Sequence, residues 1–479
     1  MHSDRPIPLS ALPYPVGWED AAQYRRVEAA RAAAGRRIVV LDDDPTGIQT
    51  VHGVPVYTNW EAETLLEAFS GADPMFFVLT NSRGMTAAET EQEHRRIARR
   101  LVRASAQTRQ DYILISRSDS TLRGHYPLET AVLREEIEAA SEKRFDGEII
   151  YPFFEEGGRL TLESVHYVRE DDQLIPCGQT EYARDKSFGY RASYLPDYCE
   201  EKTGGRVSAS SVIRITLEDL RQGGTPVVLE KLMQASQFSK IVVDSICYGD
   251  VIAFAEAYWE AVARGKEFLF RSAAAVPRVL GGIAARPLLK KEELVAQDNA
   301  NGGIVLIGSH VQKTTRQLAL VRESGLPACF LEFNQHRVLE AGGLEDEVER
   351  TVALAAERIC RGETVVIYTR RDRLDLPNAG ADRQLEISVR ISDAVTSIIG
   401  KLPVRPRFIL AKGGITSSDV GVNALHVRKA MAAGQVRPGI PVWITGQESR
   451  FPGMPYIIFP GNVGADEDLL RILEELISQ

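Results

Sequence analysis

Three short apolar runs near the start of the chain each stop in side chains able to do chemistry. Ile38-Val39-Val40-Leu41 empties into Asp42-Asp43-Asp44-Pro45-Thr46-Gly47, and Phe76-Phe77-Val78-Leu79-Thr80 into Asn81-Ser82-Arg83-Gly84. Tyr112-Ile113-Leu114-Ile115-Ser116 ends in Arg117-Ser118-Asp119-Ser120-Thr121-Leu122-Arg123-Gly124-His125. Such a run reads as a buried strand entering a polar turn. The carboxyl end of a parallel strand is where α/β proteins place ligands. If the three strands are neighbours, their tips gather carboxylates, hydroxyls and two arginines around one crevice. That chemistry suits a small polyhydroxylated acid: carboxylates bind hydroxyls or take a proton, and arginine grips a carboxylate in bidentate fashion. The alternative is that Asp119 and Arg123 cap a helix and pair on its surface. Asp42 is assigned a structural role in preference to Asp43 or Asp44. Of the dispersed histidines His52, His125, His166, His310 and His426, only His125 is kept as a candidate, because it follows the arginine-glycine turn.

A second set of stretches lies after residue 300. Gly308-Ser309, Lys412-Gly413-Gly414-Ile415-Thr416-Ser417-Ser418 and Pro460-Gly461-Asn462-Val463-Gly464 each follow a strand-like run. Glycines let backbone N–H groups approach an anion, hydroxyls add donors, and a following helix N-terminus favours negative charge. None of the three matches GxxxxGK[ST] or GxGxxG.

The elements that must position these residues recur as strand, polar turn and helix, the pattern of a mostly parallel sheet. A Pro-rich arm and a helix at 18–34 precede strands at 37–41, near 54–58, at 74–80 and at 112–116, with helices at 87–106 and up to 140. Residues 147–210 have weak periodicity beyond a first strand at 147–151 and read as long loops able to cover a site. Regular pattern returns at 240–245 and in a helix at 250–264. Glycine pairs bracket a linker at 286–302. Strands at 303–307, 328–333, 364–369 and 408–411 alternate with helices at 345–361 and 385–400. The expected fold is α/β, with two wound domains of mostly parallel sheet and a cleft between them. Their spans are an N-terminal arm and helix at 1–35, a first domain at 36–285 and a second at 303–479.

At 479 residues the chain exceeds the size at which one core keeps growing, which supports two domains. The balance of 57 basic against 66 acidic residues, with no block of like charge, argues against nucleic acid as a partner. Cys177, Cys199, Cys247, Cys329 and Cys360 lack CxxC spacing, which argues against a zinc site or disulfide framework and fits a reduced cytoplasm. The N-terminus has no apolar leader, and no run approaches the roughly 20 apolar residues of a membrane span.

Asp43-Asp44-Pro45-Thr46-Gly47, Asp119-Ser120-Thr121-Leu122-Arg123-Gly124, Gly413-Gly414-Ile415-Thr416-Ser417 and Pro460-Gly461-Asn462-Val463-Gly464 occur in the order seen in the four-carbon acid sugar kinases. The chain resembles that family over about 36–475. The resemblance implies a sugar-acid domain at 36–285, a nucleotide domain at 303–479, and ATP-dependent phosphorylation of 3-oxo-tetronate, erythronate, threonate or a related acid. Asp43, Asp44, Arg83, Asp119 and Arg123 would line the acid-sugar site, joined by Ser120 and His125. Ser309, Gly413, Gly414, Ile415, Thr416 and Gly461 would contact ATP. Asp43 or Asp119 would orient or deprotonate the acceptor hydroxyl, Arg83 or Arg123 would hold the acid group, and Mg²⁺ would accompany ATP through ligands not yet assigned; domain closure would exclude water. A homodimer is compatible with this reading. Pro45, Ile415 and Phe459-Pro460 depart from the family's usual hydrophobic, acidic and lysine-containing positions, and the N-terminal arm is additional.

Two competing readings remain. Asp42-x-Asp44-x-Thr46 after a strand also resembles the nucleophile motif of haloacid-dehalogenase-type, Mg²⁺-dependent phosphohydrolases, with Asp42 as nucleophile and Asp44 as general acid. That reading gives the later glycine turns no task and finds only a partial acidic motif at Gly249-Asp250. The other is a non-catalytic sugar-acid-binding protein.

Overall fold

The computed structural model describes residues 5–12, 21–44, 46–372, 374, 381–461 and 463–477, with the side chains of 381–385 excepted. Pro45, Asn462 and much of the N-terminal arm lie outside the described residues. The chain divides into two compact units, Met1–Val51 with Asn59–Ala285, and His52–Thr58 with Arg286–Gln479.

In the first unit the sheet runs Ile213–Ile215, Ser239–Val243, Gly147–Tyr151, Phe268–Ser272, Tyr112–Arg117, Arg37–Asp42, Met75–Leu79, with each neighbouring pair parallel. Helices cover both faces of such a sheet, so its strands read as unbroken apolar runs. Ile38 to Val40 are accordingly shut off from solvent. The three strands that end in chemically capable turns are adjacent, with Asp42 in register with Arg117 on one side and Leu79 on the other. Helix Ala87–Thr108 opens with a reciprocal Thr86/Glu89 cap and turns His94, Ile97, Ala98 and Leu101 inward.

Residues 147–210 correct the expectation of long loops. Arg159–Leu162, Val165–Glu170 and Gln173–Pro176 form an antiparallel meander extended by Ile7–Pro8, and helix Leu195–Lys202 follows. The meander's own three strands are only four to six residues long, too short for a sustained alternation to mark them. Val168 of the meander joins a core with Tyr126, Tyr190, Leu195 and Tyr198.

The second unit begins its sheet with Val54–Tyr57, drawn from the first sixty residues of the chain, paired antiparallel with Lys429–Arg437. Ile440–Thr445 and Pro455–Phe459 continue antiparallel. Ile409–Lys412, Ile304–Ile307, Thr364–Thr369 and Ala328–Phe333 then follow in parallel. The segment read as a linker contributes Leu289, Leu294 and Val295 to this unit's core. Helix Asp468–Ile477 seals one side with Leu469, Ile472, Leu473 and Leu476, all buried. Among the described residues no helix is long and apolar enough to cross a membrane. All five cysteines are free thiols.

Truncating Leu473 should leave a cavity in that core. Leu473→Ala is expected to destabilise the second unit by about 2–5 kcal/mol, read as an earlier urea unfolding transition. An unchanged transition would show that the helix contributes little to that core.

Candidate functional site

The strand Arg37–Asp42 delivers three carboxylates into different surroundings. Asp42 turns inward, where Oδ1 accepts from Arg117 Nη1 at 2.9 Å and from the Asp44 N–H at 3.2 Å. Gly47 lies so close that any Cβ there would collide with the Asp42 carboxylate. Oδ2 of Asp42 is buried without a hydrogen-bond partner among the described residues. Burial pushes the Asp42 carboxyl up to about 7, with Arg117 opposing and Asp43 and Asp44 adding to the rise. Asp43 accepts from Arg83 Nη2 at 2.5 Å and Nε at 3.2 Å, and from the Ser118 hydroxyl. Asp44 accepts from the Thr46 N–H at 2.8 Å, the Thr46 hydroxyl and Arg83 Nη1 at 3.1 Å. Burial would raise the Asp44 carboxyl, but Arg83 and the Thr46 bonds outweigh it and hold it below the usual range.

Arg83 therefore sits at the centre. It is held on a single 3₁₀ turn, Ser82–Gly84, entered through Asn81 in the left-handed region at φ 54°. Besides Asp43 and Asp44 it lies 4.0 Å from Asp119 Oδ1. Burial works against its charge, yet the three aspartates keep it firmly protonated. Asp119 also accepts from Arg123 Nε at 2.7 Å and from the Thr121 hydroxyl. Burial opposes its ionisation, but Arg83 and Arg123 hold the carboxyl far below the ordinary carboxylate range. The Asp119–Arg123 pair foreseen as an alternative thus exists, but on a turn: the next helix begins only at Leu128. Arg123 is further flanked by the Tyr182 ring, 5.0 Å from its centroid, and by Asp185 at 3.8 Å.

The turn carrying Asp119 is fixed by groups that the sequence reading did not identify. His166 Nε2 donates to the Ser120 carbonyl at 2.7 Å, Tyr190 to Thr121 at 2.6 Å and Tyr198 to Leu122 at 2.9 Å. Three consecutive carbonyls are held by donors from the 159–203 segment. Burial pushes His166 down to about 4, so it works as a neutral donor, with Nδ1 accepting from Thr161 at 3.0 Å. Arg271, at the end of strand Phe268–Ser272, donates to the Arg123 carbonyl at 3.0 Å and to Glu129 at 2.7 Å. Ser82 donates to the same buried Glu129 at 2.6 Å. Gly124 has φ 114°, and a Cβ there would lie 2.7 Å from both Arg271 Nη2 and Ser118 Oγ. The signal for Arg271 was present: Phe268-Leu269-Phe270 is another apolar run stopping in a charge. His125 donates Nε2 to the Met85 carbonyl at 3.0 Å and meets Phe188 edge-on, tying two turns together.

In the second unit the three glycine turns meet at Ser309. A Cβ on Gly308 would collide with Thr416, and Gly413 adopts φ 127° against Ser309 and Thr416. A Cβ on Gly461 would lie 2.8 Å from Ser309 Oγ, and Thr314 Oγ1 donates to the Gly461 carbonyl at 3.0 Å. Gly414 faces open space. Beside this junction is a cavity of about 530 Å³ whose lining includes Gly308, His310, Val389, Ile415, Thr416 and Asp419. Ile415 is 74% exposed there, an apolar wall without protein cover. That size and lining suit a heterocyclic ligand with polar substituents.

Gly249-Asp250 has no catalytic geometry. Asp250 is fully buried against Arg221 at 2.7 and 3.0 Å and accepts the Ile246 N–H at 3.0 Å. The partial acidic motif at Gly249-Asp250 is thus a buried structural ion pair.

Comparison with known families matches residues 38–280 to a sugar-binding N-terminal domain and residues 304–469 to a nucleotide-binding C-terminal domain. Among solved structures, one described as a putative tRNA synthase from Salmonella typhimurium LT2 is 16% identical at a TM-score of 0.64, over 91% of this chain and 98% of that one. A Haemophilus influenzae protein assigned to DUF1537 is 16% identical at a TM-score of 0.60, over 92% and 100%. A search among proteins of curated function finds no match.

The elevated Asp42 carboxyl sets a pH dependence with a definite sign. A group raised in the folded state to about 7, from an unfolded value of about 4, takes up a proton on folding. Its stabilising contribution is complete below about pH 4 and is lost as pH rises through about 7. Thermal midpoints of wild type should fall relative to Asp42→Asn across that window; parallel profiles would show that Asp42 is ionised throughout.

Proposed function

The chain belongs to the four-carbon acid sugar kinase family, and from that premise we propose that it transfers a phosphoryl group from ATP to a hydroxyl of a small sugar acid of the 3-oxo-tetronate, erythronate or threonate type. The observation that carries this reading is the convergence of Asp43, Asp44 and Asp119 on Arg83, with Arg123 alongside. Such a cluster offers acceptors for sugar hydroxyls and planar donors for a carboxylate within one small volume.

Asp119, held ionised at neutral pH by two arginines, accepts a hydrogen bond from the acceptor hydroxyl and orients it; Asp43 is the second candidate for taking its proton. Arg83 and Arg123 bind the substrate's acid group by exchanging part of their aspartate contacts for it. Asp44, Ser120 and His125 complete the lining, His125 by fixing the two turns against each other. In the second unit Ser309, Gly413, Gly414, Ile415, Thr416 and Gly461 hold the nucleotide, with the Ile415 wall against its base and the glycine turns near its phosphates. ATP supplies the phosphoryl group, and Mg²⁺ bound with it would supply neutralisation of the charge that develops there. Among the described residues no cluster of three or more histidine, cysteine or acidic side chains is arranged to hold a metal. A magnesium ion that arrives on ATP needs only one or two carboxylates besides phosphate and water. The protein's own work is positioning and exclusion of water, since phosphoryl transfer asks for little covalent participation. Its setting in this reading is the cytoplasm.

The test is ADP release by purified protein with Mg²⁺-ATP against four- and five-carbon sugar acids, including 3-oxo acids, with phosphate release from sugar phosphates followed in parallel. ADP release dependent on one acid is expected, and Asp119→Asn should lower kcat by roughly 10²–10⁴-fold. Gly124→Ala, which forces apart the turn and Arg271, should lower kcat/KM for the acid by roughly a hundredfold while leaving ATP binding intact. Phosphate release without ATP would overturn the kinase reading; normal turnover by Asp119→Asn would remove Asp119 from the chemistry.

A further inference from the structure

We propose that Arg371 is a phosphate-binding residue of the nucleotide site, contacting the polyphosphate of a nucleoside triphosphate seated at the Ser309 turn; the inference rests on the kinase reading above. Arg371 stands two residues beyond strand Thr364–Thr369, which runs parallel to and pairs with Ile304–Ile307, the strand leading into Gly308-Ser309. One end of its guanidinium is anchored: Nη2 donates to the Ser309 carbonyl at 2.8 Å and to Thr315 Oγ1 at 2.8 Å. The remaining fork is not engaged. Nε and Nη1 are buried and have no hydrogen-bond partner among the described residues.

Its neighbours show what an arginine without a ligand role does in this unit. Arg370 is paired with Asp372 at 3.0 Å, and Arg316 with Asp466 at 2.8 Å. Arg371 has no carboxylate within ion-pair reach among the described residues, and only burial acts on its charge, weakening it. Leaving part of a guanidinium desolvated and unmatched is costly unless something completes it. Phosphate oxygens have the geometry to do so, because they accept the planar arginine fork in bidentate fashion.

The surroundings favour an anion at the same place. Ser309 and Val311 lead into helix Gln312–Glu323, whose first turn includes the anchored Thr315, and helix N-termini attract negative charge. Two further amines stand at the junction with backbone carbonyls as their acceptors. Lys313 Nζ donates to the Gly464 carbonyl at 3.0 Å, and Lys412 Nζ to the Pro460 carbonyl at 3.2 Å. Arg371 and Lys313, with Lys412 held by burial between its charged and neutral forms, thus give the Ser309–Gly461 junction a basic lining open to further negative charge from a ligand. A base and ribose cannot supply it; a polyphosphate can.

The experiment separates phosphate recognition from the rest of the pocket. Dissociation constants of ATP, by calorimetry, and of adenosine, by ligand-observed NMR, are measured for full-length wild type, Arg371→Lys and Arg371→Gln, alongside their thermal midpoints. Arg371→Gln should weaken ATP by roughly tenfold to a hundredfold and leave adenosine unchanged, with Arg371→Lys between the two because it keeps the charge but loses the fork. ATP affinity unaltered in both variants, or ATP and adenosine weakened equally, would overturn the inference while leaving the kinase reading in place. Wild-type protein that binds no ATP would overturn both.

Discussion

The first unit is organised around one half-buried cation shared among carboxylates. Arg83 holds Asp43 and Asp44 directly and stands 4.0 Å from Asp119. In a partly desolvated site each of these charges is tolerable only because the others are present. Counting outward, Asp42, Asp43, Asp44, Asp119 and Glu129 face Arg83, Arg117, Arg123 and Arg271. Among them the Asp42 carboxyl is raised to about 7, chiefly by burial, with Asp43 and Asp44 adding to the rise and Arg117 opposing it. The same lattice accounts for Gly47 and Gly124, since side chains at either would intrude on it.

A lattice of charges fixes distances among side chains but not the backbone that carries them. That second requirement falls to the antiparallel meander and its following helix, which reach the Asp119 turn through His166, Tyr190 and Tyr198. Leu122, in the left-handed region at φ 66°, shows how far the turn departs from a relaxed conformation. Side-chain donors on three successive carbonyls make that conformation cheap to keep, because each carbonyl would otherwise be buried without a partner. The meander is thus part of the site's support.

The parts that could be read from sequence were those in which chemistry sits next to pattern. Three apolar runs ending in Asp43, Arg83 and Asp119 announced parallel strands with polar tips, and the sheet does place those strands side by side. The glycine turns at Gly308, Gly413 and Gly461 were visible for the same reason. What escaped was support arriving from a distance in sequence. His166 and Tyr198 look like ordinary core residues until their acceptors are known, and Glu129 sits unmarked in a helix. Lys429–Arg437 does alternate buried and more exposed positions, but before Val436 its buried face holds two alanines and a glycine, which give little hydrophobic signal. Nothing local to Val54–Tyr57 shows that its partner is a strand almost four hundred residues away.

Lys412 shows how two of the glycine turns of the second unit are tied together. Strand Ile409–Lys412 lies beside Pro455–Phe459, with Lys412 in register with Phe459. From there its ammonium reaches the Pro460 carbonyl and lies 3.4 Å from the Phe459 ring centroid. Burial, with Lys313 adding to it, lowers the amine to about 7, so the group is held near the balance between its charged and neutral forms. The ring face and the carbonyl offset part of the desolvation cost. They also bind the end of one strand to the turn after the next. The strand that leads into the Gly413-Gly414 turn thus places an amine at the last glycine turn.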